Sequence, residues 1–352
     1  MGFVYLLLHP IQAFQAYRFR RSTQNDISNE LDVYKHLKNT SRSFYLVIMQ
    51  LEGELQISIA YFYVMLRMLD TFEDEIPVHA QSMYLMYDFV TYFGKEDIEE
   101  MNAFIHDNTT IINEFVENPH ERELFHAMPD LFRHYLETVS KELRTIICDC
   151  MQVMVDGMMT FNNADIQTKD DLDKYCYHVA GVVGENLTKI YHKCMSPTKH
   201  ISNDLSVHCG LFLQKTNLIR DVYKDIQEDR MFWPRELFSE LLHIDNEVDL
   251  ADNPGRVFIL NEMVRNTVHQ HFDHVLVYLS LIEDSSYFKF VAIPQIMALQ
   301  TLLLVYDNPL TFVEKVRIPS RILTGSLSFH CSDYGAFERK AQSLLQKFDF
   351  YD

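Results

Sequence analysis

Tyr61-Phe62-Tyr63-Val64-Met65-Leu66-Arg67-Met68-Leu69-Asp70-Thr71-Phe72-Glu73-Asp74 threads four charged residues through a run that is otherwise almost entirely apolar and aromatic. Tyr63, Arg67, Asp70 and Asp74 follow one another at spacings of four, three and four. In a helix with 3.6 residues per turn they share one stripe, with Glu73 beside it. Phe62, Val64, Met65, Leu66, Met68 and Leu69 occupy the other sides, so the spacing predicts a helix buried nearly all round. Unpaired charge is costly in such a place, and the carboxylates are expected to meet cations there.

A second stretch repeats the pattern. In Leu211-Phe212-Leu213-Gln214-Lys215-Thr216-Asn217-Leu218-Ile219-Arg220-Asp221-Val222-Tyr223-Lys224-Asp225, the residues Gln214, Asn217, Asp221 and Asp225 again fall three or four apart on one face. Hard cations such as magnesium prefer oxygen ligands. Two stripes of this kind could hold two or three such ions between them, gripping a diphosphate and easing its departure as a leaving group.

Composition sets the frame. The chain has 352 residues with only 10 Gly and 10 Pro, scattered, and neither a low-complexity linker nor a fixed repeat is visible. This favours one large helical domain over residues 35–352, preceded by a surface segment, residues 1–34, that carries Arg18, Arg20 and Arg21. Methionine (16), phenylalanine (25) and tyrosine (19) suit a large, adaptable apolar interior or a greasy cavity. The net charge of −19 argues against a nucleic-acid partner, which demands a basic face. The six cysteines lack the paired spacing of zinc or disulfide frameworks and fit a reducing compartment. Phe3 to Leu8 is too short for a membrane span, and no later segment is expected to cross one.

Along the rest of the chain, Thr40-Ser41-Arg42-Ser43-Phe44 opens a helix with a Ser or Thr cap and backbone donors that suit an anion. Residues 78–145 read as two or three amphipathic helices broken near Asn118-Pro119 and Pro129, followed by a methionine-rich helix over 146–163. Gly181 and Gly184 permit a close helix contact or a kink. Phe288 to Val305 is a strongly apolar helix whose aromatics, Phe288 and Phe290 among them, could shield a carbocation or simply pack the core. The chain ends in a loop and an amphipathic helix.

Five segments in register resemble the squalene synthases of the squalene/phytoene synthase family. They are Ser41-Arg42-Ser43-Phe44, the Tyr63 to Asp74 stripe, Tyr175-Cys176 with Val179-Ala180-Gly181, the Gln214 to Asp225 stripe with Phe232-Trp233-Pro234, and Ala292-Ile293-Pro294-Gln295. The resemblance runs from about residue 35 to 312. It implies an all-α isoprenoid synthase bundle around a central cavity. It also implies head-to-head joining of two farnesyl diphosphates through presqualene diphosphate, then NADPH-dependent reduction to squalene.

Carried over by position, Asp70, Glu73 and Asp74 match one magnesium cluster, and Asn217, Asp221 and Asp225 the other. Ser41, Arg42, Ser43, Phe44, Arg67, Gln214 and Arg220 match the diphosphate-binding set. Arg42, Arg67, Arg220 and Arg317 match cations associated with NADPH. Tyr175 matches a tyrosine of the first half-reaction, Tyr63 shares the wall of the first cluster, and Phe288, Phe290 and Gln295 are expected at the cavity. The resemblance further implies a monomer in the cytoplasm, at most peripheral on the endoplasmic reticulum membrane.

The chain also departs from the family. Lys224 replaces a glutamate, Tyr177-His178 exchanges a His-Tyr order, and Val316-Arg317-Ile318-Pro319-Ser320-Arg321 stands where Val-Lys-Ile-Arg-Lys-Gly is common. The apolar C-terminal anchor typical of the eukaryotic enzymes is not seen in this chain. The altered basic segment leaves open a non-reductive synthase that ends at presqualene diphosphate, dehydrosqualene or a cyclised terpene. A catalytically silent helical protein that binds prenyl diphosphate is the third alternative.

Overall fold

The computed structural model describes residues 32–77, 79–161, 166–228, 230–242, 255–316 and 330–351. Residues 1–31 of the N-terminal segment 1–34 expected at the surface, the Arg317 to Arg321 segment and the side chains of Arg42 and Ser43 lie outside the described residues. All regular elements among those residues are helical, as the sequence predicts. The chain forms two compact units, Ser22–Thr160 with Asn186–Ser196 and Phe161–Glu185 with Pro197–Asp352, called here the N-terminal and C-terminal units.

The N-terminal unit contains α1 (Asp32–Thr40), α2 (Arg42–Ile48), α3 (Gly53–Glu75), α4 (His79–Lys95), α5 (Ile98–Asp107), α6 (Thr109–Phe115), α7 (Pro119–Thr138) and α8 (Lys141–Phe161, its last residue excepted). The opening stretch falls inside α3, whose length and apolar content bury twelve of its residues, Phe62, Val64, Met65, Met68, Leu69 and Phe72 among them. The helix stops where Ile76 turns extended (φ −87, ψ 110) ahead of Pro77, as the clash between proline and the preceding residue requires. Phe72 anchors it, with the rings of Phe125, Phe89 and Phe104 at 4.7, 6.1 and 6.3 Å. Burying such a ring contributes about 2–3 kcal/mol.

Pro129 does not break the chain as its residue type predicts. It sits inside the continuous helix α7. Leu124, Phe125 and Met128 before it and Leu131, Phe132 and Tyr135 after it are all buried on one side. That apolar face outweighs the one backbone bond a proline forfeits. Pro119 instead starts α7, with Asn118 capping the His120 N–H at 3.0 Å. Residues 79–138 thus form four helices rather than two or three.

The C-terminal unit holds α9 (Lys169–Cys176), a π-helical turn over Tyr177–Gly181, the start of α10 (Val182–Met195), α11 (Asn203–Arg220), α12 (Val222–Gln227), α13 (Arg235–Leu242), α14 (Arg256–Leu281), α15 (Ser285–Val305), a 3-10 turn at Pro309–Phe312, and α16 (Tyr334–Leu345). Of the two spaced glycines, Gly184 makes a close helix contact, and Gly210, which the spacing does not single out, makes another. A Cβ on Gly184 would lie 2.4 Å from the Ser206 carbonyl oxygen, and one on Gly210 2.3 Å from that of Ala180. Main chain meets main chain there, so only glycine fits. Helix α15 is apolar and long enough to cross a membrane by length and composition (mean hydropathy 1.7), yet most of it is buried in the protein. Its hydrophobicity is accounted for by core packing.

Candidate active site

Each acidic stripe is a half-open strip on an otherwise buried helix. On α3, Tyr63, Leu66, Arg67, Asp70 and Glu73 are half-buried and Asp74 is exposed, while the flanking apolar residues are sealed. The α2 cap joins this strip: Ser41 accepts the Phe44 N–H at 3.4 Å, and the Phe44 ring lies 5.0 Å from Tyr63. Burial raises the Tyr63 phenol, with the Ser41 side chain and Arg67 pulling the other way. The structure therefore brings Ser41, Phe44, Tyr63, Arg67 and Asp70 together within the N-terminal unit.

Arg67 spends Nε and Nη2 on Glu121 Oε1, at 3.2 and 2.6 Å. Glu121 is 2% exposed and also accepts from Asn118 at 3.0 Å and from the Thr71 hydroxyl at 3.1 Å. That hydroxyl is shared with the Arg67 carbonyl oxygen, 2.8 Å away. Sequence reasoning missed Glu121, because a glutamate in the first turn of α7 looks like an ordinary acid at a helix start. With Arg67 committed to Glu121, Asp70 is not adequately compensated. Burial, Asp74 and Glu121 push its carboxyl up to about 7, although Arg67 opposes them. A carboxylate cluster in this condition fits a divalent cation, whose charge would keep all of it ionised.

The second strip behaves alike. Gln214, Asn217 and Asp221 are half-buried and Asp225 is buried. The helix is not continuous through them: α11 ends at Arg220, Asp221 takes φ −94 and ψ 7, and α12 resumes at Val222. Asp225 N still donates to Asp221 O at 3.1 Å, so both carboxylates remain one turn apart. Burial raises Asp225 to about 6, Arg230 pulling down and Asp221 pushing up. Arg220 donates Nε to Asp221 Oδ1 at 3.0 Å and Nη2 to Oδ2. Lys224 is exposed and pairs with Glu228 at 3.4 Å, so the family's missing glutamate falls on the outer side of α12. The oxygen donors on both strips fit magnesium.

Tyr175, at the end of α9, stacks on Phe232 at 5.2 Å and meets Phe161 edge-on at 5.8 Å. Tyr177, in the π turn, donates its hydroxyl to Glu185 Oε2 at 3.3 Å. The lone tryptophan, Trp233, is buried and donates its N–H to the Leu218 carbonyl at 3.3 Å, fastening the loop after α12 to α11. Phe288 and Phe290 lie in the packed interior of the C-terminal unit, Phe288 edge-on to Phe337 at 6.4 Å and Phe290 stacked on Tyr287 at 5.8 Å. Gln295 is buried too and donates to the Cys209 carbonyl at 3.2 Å, tying α15 to α11. Arg317 falls outside the described residues.

Residues 37–323 match the family model described as squalene/phytoene synthase. The mouse squalene synthase is 34% identical over 332 residues, covering 90% of this chain and 76% of that protein. The squalene synthase of Nicotiana benthamiana is 37% identical over 291 residues, covering 78% and 64%. A solved structure of TcSQS in complex with the ligand BPH1237 superposes with a TM-score of 0.74 at 32% identity, over 91% of this chain and 92% of that one. The helical fold is therefore that of the isoprenoid synthases. With a family match over most of its length and relatives sharing a third of its residues, the chain belongs to the squalene/phytoene synthase family.

Proposed function

We propose that this enzyme joins two farnesyl diphosphates head to head through presqualene diphosphate, and that it reduces this intermediate to squalene with NADPH. The observation that carries the reading is the pair of half-open acidic strips, each set into a buried helix and each holding a carboxylate pushed upward by its surroundings. A silent binding protein would gain nothing from keeping such charge.

Asp70, Glu73 and Asp74 would hold magnesium on one strip, and Asn217, Asp221 and Asp225 on the other. Magnesium, when bound, neutralises the diphosphate as its C–O bond breaks. Arg67 and Arg220 each leave Nη1 with no hydrogen bond among the described residues, and both guanidinium groups are about a third exposed (30% and 32%). They are suited to a substrate or cofactor phosphate. Ser41, Arg42, Ser43 and Phe44 with Gln214 complete the diphosphate-binding set. NADPH, when bound, supplies the hydride of the second half-reaction, and Arg317 is its candidate partner on the basic segment.

Tyr175 packs against two rings, Phe232 and Phe161. Its hydroxyl would take or return a proton in the first half-reaction. Apolar product release would bring the protein to a membrane surface, consistent with a cytoplasmic monomer that touches the endoplasmic reticulum only peripherally.

Incubating purified protein with farnesyl diphosphate and magnesium, with and without NADPH, and reading products by mass spectrometry tests this. Squalene formed only with NADPH supports the reading. The segment Arg317-Ile318-Pro319-Ser320-Arg321 favours a second reading, a synthase without reduction, and identical products in both arms would establish that one instead.

A further inference from the structure

Helices α11 and α14 bring together a group of side chains that the prenyl-transfer chemistry does not use. Asp204 and His208 are one turn apart on α11, and His271 and His274 one turn apart on α14. Donor atoms of Asp204, His208 and His274 all lie within 4.8 Å of one another. The His208 and His274 rings stack at 3.8 Å, 15° from parallel. His208 Nδ1 is 2.7 Å from Nδ1 of His271, whose side chain is 1% exposed.

We propose that Asp204, His208 and His274 form a binding site for a divalent transition-metal ion of the zinc class, separate from the two acidic strips. Two imidazoles and one carboxylate are the donor set that zinc, cobalt or nickel takes in preference to magnesium, with water completing the coordination. His271 is the supporting residue. A metal-binding imidazole commonly donates its second ring N–H to a fixed partner, which sets its orientation and tautomer. The assignment puts the proton of the 2.7 Å Nδ1–Nδ1 contact on His208, which leaves its Nε2 for the ion.

The electrostatics agree. Burial holds both His208 and His271 below the usual imidazole range. Lys215, whose charge acts on both rings, is 3% exposed and already paired with Asp173 and with Gln270 Oε1 at 2.8 Å. His274 has no hydrogen bond among the described residues, and neither does the exposed Asp204. The stacked rings must open into a V on binding, because each lone pair lies in its ring plane, and this needs a rotamer change of His274.

The site is remote from the strip on the same helix. Asn217 lies nine residues beyond His208, which is ~14 Å along the axis and about half a turn round it. An ion bound here would cross-link α11 to α14 without touching the diphosphate ligands.

The test is zinc titration of the metal-stripped full chain in excess magnesium, read by calorimetry and by metal content after dialysis, with cobalt's visible absorption reporting imidazole ligation. One zinc per chain is expected. His274→Ala and His208→Ala should each weaken it by at least about tenfold and abolish the cobalt spectrum, and Asp204→Asn should weaken it less. Asp70→Asn and Asp221→Asn should leave it unchanged. No zinc in the parent chain, undiminished binding in His274→Ala, or loss of binding in Asp221→Asn would each overturn the assignment. Should circular dichroism show that His208→Ala does not fold, His274→Gln and Asp204→Asn decide the matter, since neither parent side chain holds a structural hydrogen bond.

Discussion

Arg67 Nη2 lies 2.6 Å from Glu121 Oε1, and the pair joins the acidic helix α3 to the first turn of α7. Glu121 is 2% exposed and its carboxylate gathers donors from Arg67, Thr71 and Asn118, so removing it takes the acceptor from Arg67 and Asn118 and leaves Thr71 only the Arg67 carbonyl. Glu121→Ala is expected to cost ~2–3 kcal/mol, less than a fully buried pair because Arg67 is part-exposed. The urea midpoint measures this. A change under about 0.5 kcal/mol would show that the pair does not stabilise α3.

Asp70→Asn separates the cost of the carboxylate from its use. Burial and Asp74 oppose its charge, so in magnesium-free buffer the variant should match or exceed the parent's thermal midpoint, by ~1–2 °C. Turnover of farnesyl diphosphate should fall by ~100-fold or more, and the upward shift that magnesium gives the parent should shrink. Scanning calorimetry with and without magnesium, beside the product assay, reads all of these effects.

Tyr175→Phe retains the ring against Phe232 and Phe161 and deletes only the hydroxyl. Stability should stay within about 0.5 kcal/mol of the parent. If the phenol moves a proton, kcat should fall by ~100-fold or more while KM stays near its parent value. Unchanged kcat would assign Tyr175 to packing alone.

Gly184→Ala forces a methyl to 2.4 Å from the Ser206 carbonyl oxygen, and neither partner is a flexible side chain that can yield. We expect a loss of ~2–3 kcal/mol, with Gly210→Ala at least as damaging. Thermal melts of both variants check this, and a neutral result would mean that α10 and α11 separate easily at the π turn.

Glu283 supplies an acid-sensitive fastening. Its Oε1 accepts the Thr198 hydroxyl and its Oε2 the Thr198 N–H at 2.7 Å, and these bonds hold its pKa below the usual 4.5. As pH falls, the unfolded carboxylate takes its proton first. The stabilisation is therefore complete above about pH 4.5 and disappears as pH drops through the folded value. Glu283→Gln should be less stable than the parent at pH 7, and the difference should shrink as pH falls below 4.5. Parallel denaturation curves across that range would contradict the assignment.

The sequence alone determined the two acidic strips, because charges at spacings of three and four on an apolar helix are a local, periodic signal that survives folding. It also determined the all-α class, which depends on composition and on residues close in the chain. The broken helix at Asp221 and the unbroken one at Pro129 were decided by packing on either side of each residue, which local propensity does not contain. Glu121 and the histidine group were decided by tertiary structure too. Arg67 meets a glutamate 54 residues away, and His208 an imidazole 63 residues away. Nothing in the period of either helix says which side chain will stand opposite. That depends on the register in which two helices pack, and only the folded chain sets it.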